Sequence, residues 1–222
     1  MFRRIDVIGS GRVGSAVSGR LRQRAVDLDS SDPELVLLCV PDAAIAEVAA
    51  ALPLGPWIAH VSGATPLAAL EPHARRFGMH PLQTFTRSRG PEQLDGAWAA
   101  VTAETEDAHA AGVWLAETLG LRPFTLDESA RTLYHAGAVF VSNYLVTLHR
   151  AATLLFESAG APPAALEPLM LRTIENDFEL TGPISRGDWP TVAAHRGAIR
   201  DAKPELEQLY DVLADATLEL VT

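Results

Sequence analysis

Three glycines stand at the spacing of a phosphate-binding turn in Gly9-Ser10-Gly11-Arg12-Val13-Gly14. Each position has its own mechanical use. Gly9 permits a tight turn, Gly11 lets a pyrophosphate approach the backbone, and Gly14 lets a helix pack closely on a strand. The free N–H groups at the start of that helix then face the phosphates. A second group of residues could handle protons and carbonyls. At helical spacing His135, Val139, Ser142 and Val146 share a face, with Asn143 at its edge. Polar groups on a helix otherwise rich in Ala and Val need partners or a cleft. His135 can donate or accept a proton near neutral pH, which makes it the expected acid/base. Ser62 and His80 both fall at strand ends. Ser62 could bind a substrate carbonyl or cap the next turn, and His80-Pro81 could bind substrate or form a structural turn. Arg186, in the polar loop Thr181–Trp189, could grip a carboxylate or phosphate; Asp188 reads as the N-cap of the next helix.

These groups need positioning, and the pattern of apolar residues supplies the elements. Residues 3–9 read as a buried strand, 12–24 as an amphipathic helix, and Leu35–Val40 as a second buried strand closed by Val40 and Pro41. A helix over 43–52, capped by Asp42, and strands at 57–61, 77–80, 97–102 and 121–126 follow, with a helix over 103–119. Strands alternating with helices imply an α/β, Rossmann-like, mostly parallel sheet. After Asp127 no strand pattern remains. Helices are expected over 129–159, from Pro162 or Pro163 toward Leu180, and over 189–201 and 204–221. The boundary is placed at residue 127, giving a dinucleotide-binding domain over 1–127 and an all-α substrate and dimerisation domain over 128–222.

The segment after the glycines is short. About twenty residues separate the fingerprint from Leu35, too few for a second strand and a second crossover helix. "AVDLD" (Ala25–Asp29) reads as a stunted strand. Asp29, with Asp27, lies where an acid would meet the adenosine ribose. Gly9, Ser10, Gly11, Arg12, Val13, Gly14, Asp29, Val40 and Pro41 form the expected cofactor-binding set. The two aspartates would repel a 2′-phosphate, so NAD is expected over NADP.

The net charge of −10 argues against nucleic acid as a partner. No uninterrupted apolar run is long enough to span a bilayer, so no membrane is expected. The single cysteine, Cys39, lies within an apolar strand and excludes an intrachain disulfide. A cytoplasmic protein acting on a small molecule is expected, with no metal.

Several stretches carry a resemblance: "GSGRVGSAV", "LLCVPDAAIAEVA", "HVSGA", "HPLQTF", "LYHAGAVFVSNYLV" and "LTGPISRGDWPTVAAH". The chain resembles a bacterial family of Rossmann-like proteins with a C-terminal helical domain of unknown function. That family is similar to the wider group of 6-phosphogluconate dehydrogenase, ketopantoate reductase and pyrroline-5-carboxylate reductase. The resemblance implies an NAD(P)-dependent oxidoreductase acting on a small carbonyl, imine or hydroxy acid. In related dehydrogenases a helix at this position supplies a catalytic lysine and an asparagine. The resemblance implies that His135 and Asn143 are the counterparts, the lysine itself being absent. From the residues themselves, Ser62 is expected beside them and His80, Ser142 and Arg186 on the substrate. The other reading is a non-catalytic dimeric scaffold that has lost its cofactor with the missing strand and helix. A homodimer is expected either way, because apolar residues surround the helix over 133–156.

Overall fold

In the computed structural model, which describes residues 1–221, β1 (Ile5–Ile8) pairs in parallel with β2 (Leu35–Leu38), placing Ile5 opposite Leu35. All four residues of β2 are apolar and all four are buried, as a strand covered on both faces requires. β3 (Trp57–His60) and β4 (Arg76–Leu82) add in parallel. β5 (Trp98–Ala103) runs antiparallel to β4, with Phe77 opposite Ala103, and β6 (Arg122–Thr125) is parallel to β5. The six strands lie in the sheet in chain order.

Alternation along the strands builds two cores. Leu35 and Leu37 turn to one face with Phe77 and Met79, where they meet Val17 and Leu21 of α1 (Arg12–Gln23). Val36, Leu38 and Ile58 turn to the other face, against Ile45 of α2 (Ile45–Ala50) and against Leu67 and Leu70. α3 (Glu106–Leu119) joins the first face through Leu115 and Leu119. Thr105 caps α3 by accepting the Ala108 N–H at 3.2 Å, and Gly120 ends it at φ 85°.

The sheet is the α/β Rossmann-like arrangement expected, and its second βα unit is reduced to one residue. α1 ends in a turn through Ala25 at φ 57°. Asp27 then makes a single parallel bridge to Arg4 on the outer side of β1. The Ile5 N–H donates to the Asp27 carbonyl and the Asp27 N–H to the Arg3 carbonyl, both at 2.9 Å. The chain returns directly to β2. Asp42 does not cap the next helix. It opens a 3₁₀ turn, Asp42–Ala44, that leads into α2, with Pro41 at the cap position.

Two compact units divide the chain, Met1–Phe140 and Val141–Thr222. α4 (Arg131–Val139) belongs to the first, tied to it by Arg131, whose Nη1 donates to the Ser62 carbonyl at 2.9 Å. In the second unit α5 (Leu145–Ser158) stops before Gly160, at φ 71°. α6 (Leu166–Glu175) is shorter than the apolar pattern suggested, because Asp177 and Phe178 turn left-handed at φ 51° and 57°. α7 (Trp189–Ala202) starts as expected: Asp188 Oδ1 accepts the Thr191 N–H at 3.2 Å. Arg196 of α7 pairs with Asp211 of α8 (Glu207–Glu219) at 2.6 Å.

A π-turn covers Phe140–Tyr144. The expected polar face of Ser142 and Asn143 was counted on an uninterrupted α-helix, and this turn breaks that count. The helical stretch Glu128–Ser158 has 31 residues and contains an 18-residue window with a mean hydropathy of 1.2, long and apolar enough by length and composition to cross a membrane. Counting uninterrupted apolar runs missed it because His135, Asn143 and Arg150 are interspersed.

Candidate active site

β1, β2, β3 and β4 are parallel, so their carboxyl ends share one edge of the sheet. Two constructions stand there. The first is the glycine turn. Gly9 sits at φ 115°, and a Cβ there would overlap the Cys39 carbonyl next to Val40. A Cβ on Gly14 would overlap the Gly9 carbonyl. Those two glycines let β1, α1 and the end of β2 close on each other. Gly11 is different: a Cβ there would meet nothing within 4 Å. The turn holds its shape through Ser15, whose hydroxyl donates to the Ser10 carbonyl at 3.0 Å. α1 begins at Arg12 without a side-chain cap at Gly11, leaving its first N–H groups for an incoming anion. Open space over Gly11, beside a closed Gly9–Gly14 contact, fits a dinucleotide pyrophosphate.

The ribose end fits less closely. Asp27 Oδ1 accepts the Asp29 N–H at 3.0 Å, so Asp27 braces its own loop. Asp29 is exposed, as are Pro41 and Asp42.

The second construction is a polar cluster on β3, β4 and α4. His80 Nδ1 and the Tyr134 hydroxyl lie 2.8 Å apart. The His135 ring stands edge-on to His80 with centroids 5.9 Å apart. Gly63 makes room for both: a Cβ there would lie 2.5 Å from His135 Cδ2 and 2.9 Å from His80 Cε1. Burial, then His135 and Arg131, push the His80 pKa down to about 4, against a smaller opposing pull from Asp42. His80 is therefore neutral near pH 7. Burial raises the Tyr134 hydroxyl to about 12, so it stays a phenol and can donate.

Beneath this pair lies a buried frame. His60 is fully buried, and its Nδ1 accepts the Ser62 N–H at 3.3 Å, which leaves the proton on Nε2. Burial and then Arg131 hold His60 down to about 4. The Arg131 guanidinium donates through Nη1 to the Ser62 carbonyl and through Nε to Glu128 Oε2 at 3.2 Å. Glu128 Oε1 in turn accepts the Leu67 N–H at 2.8 Å. Gly78 admits Arg131: a Cβ there would overlap its Nη2 and lie 3.2 Å from His60 Cε1. His60 Nε2 and Arg131 Nη2 are both buried without a hydrogen-bond partner in the structure.

The expected residues sort unevenly. His80 and His135 come together, and Tyr134 joins them. Ser62 is buried, and its hydroxyl is used by the turn. It donates to Asp42 Oδ2 at 2.8 Å and accepts the Thr65 N–H at 2.9 Å and the Ala64 N–H at 3.2 Å. The structure shows the capping role of Ser62. Ser142 donates to Asn143 Oδ1 at 3.1 Å, on the π-turn. Arg186 is exposed and draws the Asp188 carboxyl downward, after the hydrogen bonds from Thr191. Tyr134, Arg131 and His60 were missed. An acid–base pair three residues apart, Glu128 and Arg131, at the start of an apolar helix was the available signal for the frame. Among the described residues no cluster of His, Cys, Asp or Glu could hold a metal ion.

Residues 97–217 match the model of a family described as a domain of unknown function, DUF2520. No curated protein matches the chain in sequence. Solved structures match it throughout. BF3122 of Bacteroides fragilis, provisionally named an NADP oxidoreductase, is 21% identical with a TM-score of 0.82, covering 98% of each chain. Protein TM1727 of Thermotoga maritima is 21% identical with a TM-score of 0.77, again over 98% of each. The reductive aminase of Aspergillus terreus, solved with NADPH and ethyl levulinate, is 15% identical with a TM-score of 0.66, over 99% of this chain and 94% of that one. At these identities the likeness is one of fold.

Proposed function

The chain belongs to the family of the domain of unknown function DUF2520, and on that premise we propose that it is an NAD(P)-dependent oxidoreductase acting on a small carbonyl, imine or hydroxy-acid compound. The observation that carries this reading is the pairing of two constructions at one sheet edge. An open glycine turn suited to a pyrophosphate stands with a His80–Tyr134–His135 cluster suited to proton transfer. Solved structures of the same fold that bind NADPH support it.

When bound, a nicotinamide supplies or accepts the hydride. Gly9, Gly11 and Gly14 shape the turn, and the first N–H groups of α1 hold the phosphates. Tyr134 and His135 handle the proton at the substrate oxygen or nitrogen, and His80 orients the Tyr134 hydroxyl. Arg131 fixes α4 to the β3 turn and disfavours a second positive charge beside it. NAD is the proposed cofactor, because Asp29 and Asp27 disfavour a 2′-phosphate. For the helical unit we propose the roles read from sequence, Asn143 as an orienting group, Ser142 as a substrate-binding residue and Arg186 as an anion holder.

A homodimer is proposed as well. α5 exposes Leu145, Val146 and Leu148, α6 exposes Leu169, Leu171 and Ile174, and α8 exposes Val212, Leu213 and Leu218. Apolar surface of that extent calls for a partner, and a second copy in a soluble cytoplasmic dimer is the simplest one.

Calorimetric titration with NADH and NADPH, followed by nicotinamide absorbance with panels of small ketones and imines, tests the reading. Saturable binding and substrate-dependent oxidation are expected. Absence of binding by either nucleotide would favour the scaffold reading, which the one-residue remnant of the second βα unit supports.

A further inference from the structure

The loop between β4 and β5 is built to present two arginines to the glycine turn. Gln93, only 5% exposed, organises it from inside. Its Oε1 accepts the Thr86 N–H at 2.8 Å, and its Nε2 donates to the Arg89 carbonyl at 2.8 Å and the Gly90 carbonyl at 3.0 Å. The loop is then fastened to α1. Arg20 Nη2 donates to the Pro91 carbonyl at 2.9 Å and pairs with Asp95 at 2.7 Å. Pro91 packs on Gly19, where a Cβ would lie 2.7 Å from Pro91 Cγ.

The result is a cleft of about 270 Å³ between Gly11, Arg12 and Ser15 on one side and Thr86, Arg87 and Arg89 on the other. No carboxylate lines it. Arg12, Arg87 and Arg89 form none of the ion pairs found among the described residues, although the chain carries 28 acidic residues against 18 basic ones. Three unpaired guanidinium groups, two of them on a loop whose backbone is fixed by a buried amide, mark a place for a multiply charged oxyanion.

We infer that Arg87 and Arg89, with Arg12, clamp the phosphates of the dinucleotide across the glycine turn. This inference rests on the proposed cofactor. It also answers the question raised by the missing second βα unit: phosphate contacts from the β4–β5 loop replace the hold that the ribose and adenine walls would otherwise provide. The clamp acts on the pyrophosphate. A 2′-phosphate has the same chemistry, and the experiment separates the two.

The test is titration of the full chain and of the double variant Arg87→Gln/Arg89→Gln with NADH, NADPH and inorganic pyrophosphate, at low and high salt. Melting temperatures serve as a folding control. Each charge-assisted hydrogen bond lost should weaken binding by about tenfold, and the salt dependence of the remaining affinity should flatten. Equal losses for NADH and NADPH, with loss of pyrophosphate binding, establish the clamp on the pyrophosphate. A loss confined to NADPH overturns the clamp on the pyrophosphate, puts the two arginines at the 2′-phosphate instead and removes the NAD preference. Unchanged affinity for all three probes overturns the clamp and leaves the oxidoreductase reading standing. Arginine-dependent binding of pyrophosphate without binding of either dinucleotide keeps the clamp and removes the cofactor. Failure of the parent chain to bind any of the three removes both.

Discussion

The Tyr134 hydroxyl and His80 Nδ1 meet at 2.8 Å between an α-helix and a strand that are 54 residues apart in sequence. The contact joins a group held as a phenol to an imidazole held neutral. Tyr134→Phe removes the hydroxyl and leaves the ring. Turnover should fall by about 10²- to 10⁴-fold, with the melting temperature lowered only modestly. Undiminished turnover in the variant would remove Tyr134 from the chemistry.

His135 stands beside this pair without sharing its hydrogen bond. His135→Ala should lower turnover far more than stability, by a similar factor. A large drop in melting temperature with little kinetic change would instead make it a packing residue against Gly63.

Acid should destabilise the first unit over a defined window. His60 has a depressed pKa, about 4 against an ordinary 6.5. The unfolded chain therefore takes up the proton first as the pH falls. The stability is present in full above pH 6.5 and is lost as the pH falls toward 4. His60 should contribute on the order of 3 kcal/mol to that loss, and His80 acts in the same direction. Chemical denaturation at stepped pH measures it, and His60→Gln should flatten the slope. A variant with the parent's slope would refute the assignment.

Glycines 11 and 14 should part company on substitution. Gly14→Ala drives a methyl group into the Gly9 carbonyl and should cost several kcal/mol or prevent folding. A Cβ at Gly11 meets nothing within 4 Å, so Gly11→Val should melt like the parent while losing dinucleotide affinity. If Gly11→Val binds NADH normally, the cradle has been placed wrongly.

Assembly is measured directly. Light scattering at micromolar concentration should report about twice the chain mass of 23.8 kDa. A stable monomer would mean that the apolar helices of the second unit remain uncovered.

Much of this fold was readable before any coordinates. Buried strands such as Leu35–Leu38 declare themselves by having no polar residue, and the α1 start is written in its glycines. The stunted strand at Ala25–Asp29 was also legible, from length alone, although only Asp27 forms the bridge. The antiparallel placement of β5 was not read. Its signal was present: residues 83–97 hold no helix long enough for the crossover that a parallel strand needs. The candidate site was half legible. Histidines at 80 and 135 stood out by type, whereas Arg131 and Tyr134 gain their meaning from partners 54 to 69 residues away. Spacing within one element cannot reveal such pairs. Ser62 shows the reverse case, a polar residue at a strand end whose hydroxyl also serves its own turn.

Loss of the second βα unit has a further effect, on colloidal behaviour. It turns β1, an interior strand in a full dinucleotide-binding sheet, into an edge. An edge strand offers unpaired N–H and C=O groups to any passing chain. Here Asp27 occupies the Ile5 N–H, and Arg4 reaches out to Asp32 and Glu34. The single bridge and its fringe of charge blunt the edge, so the remnant serves as a guard against sheet-to-sheet association.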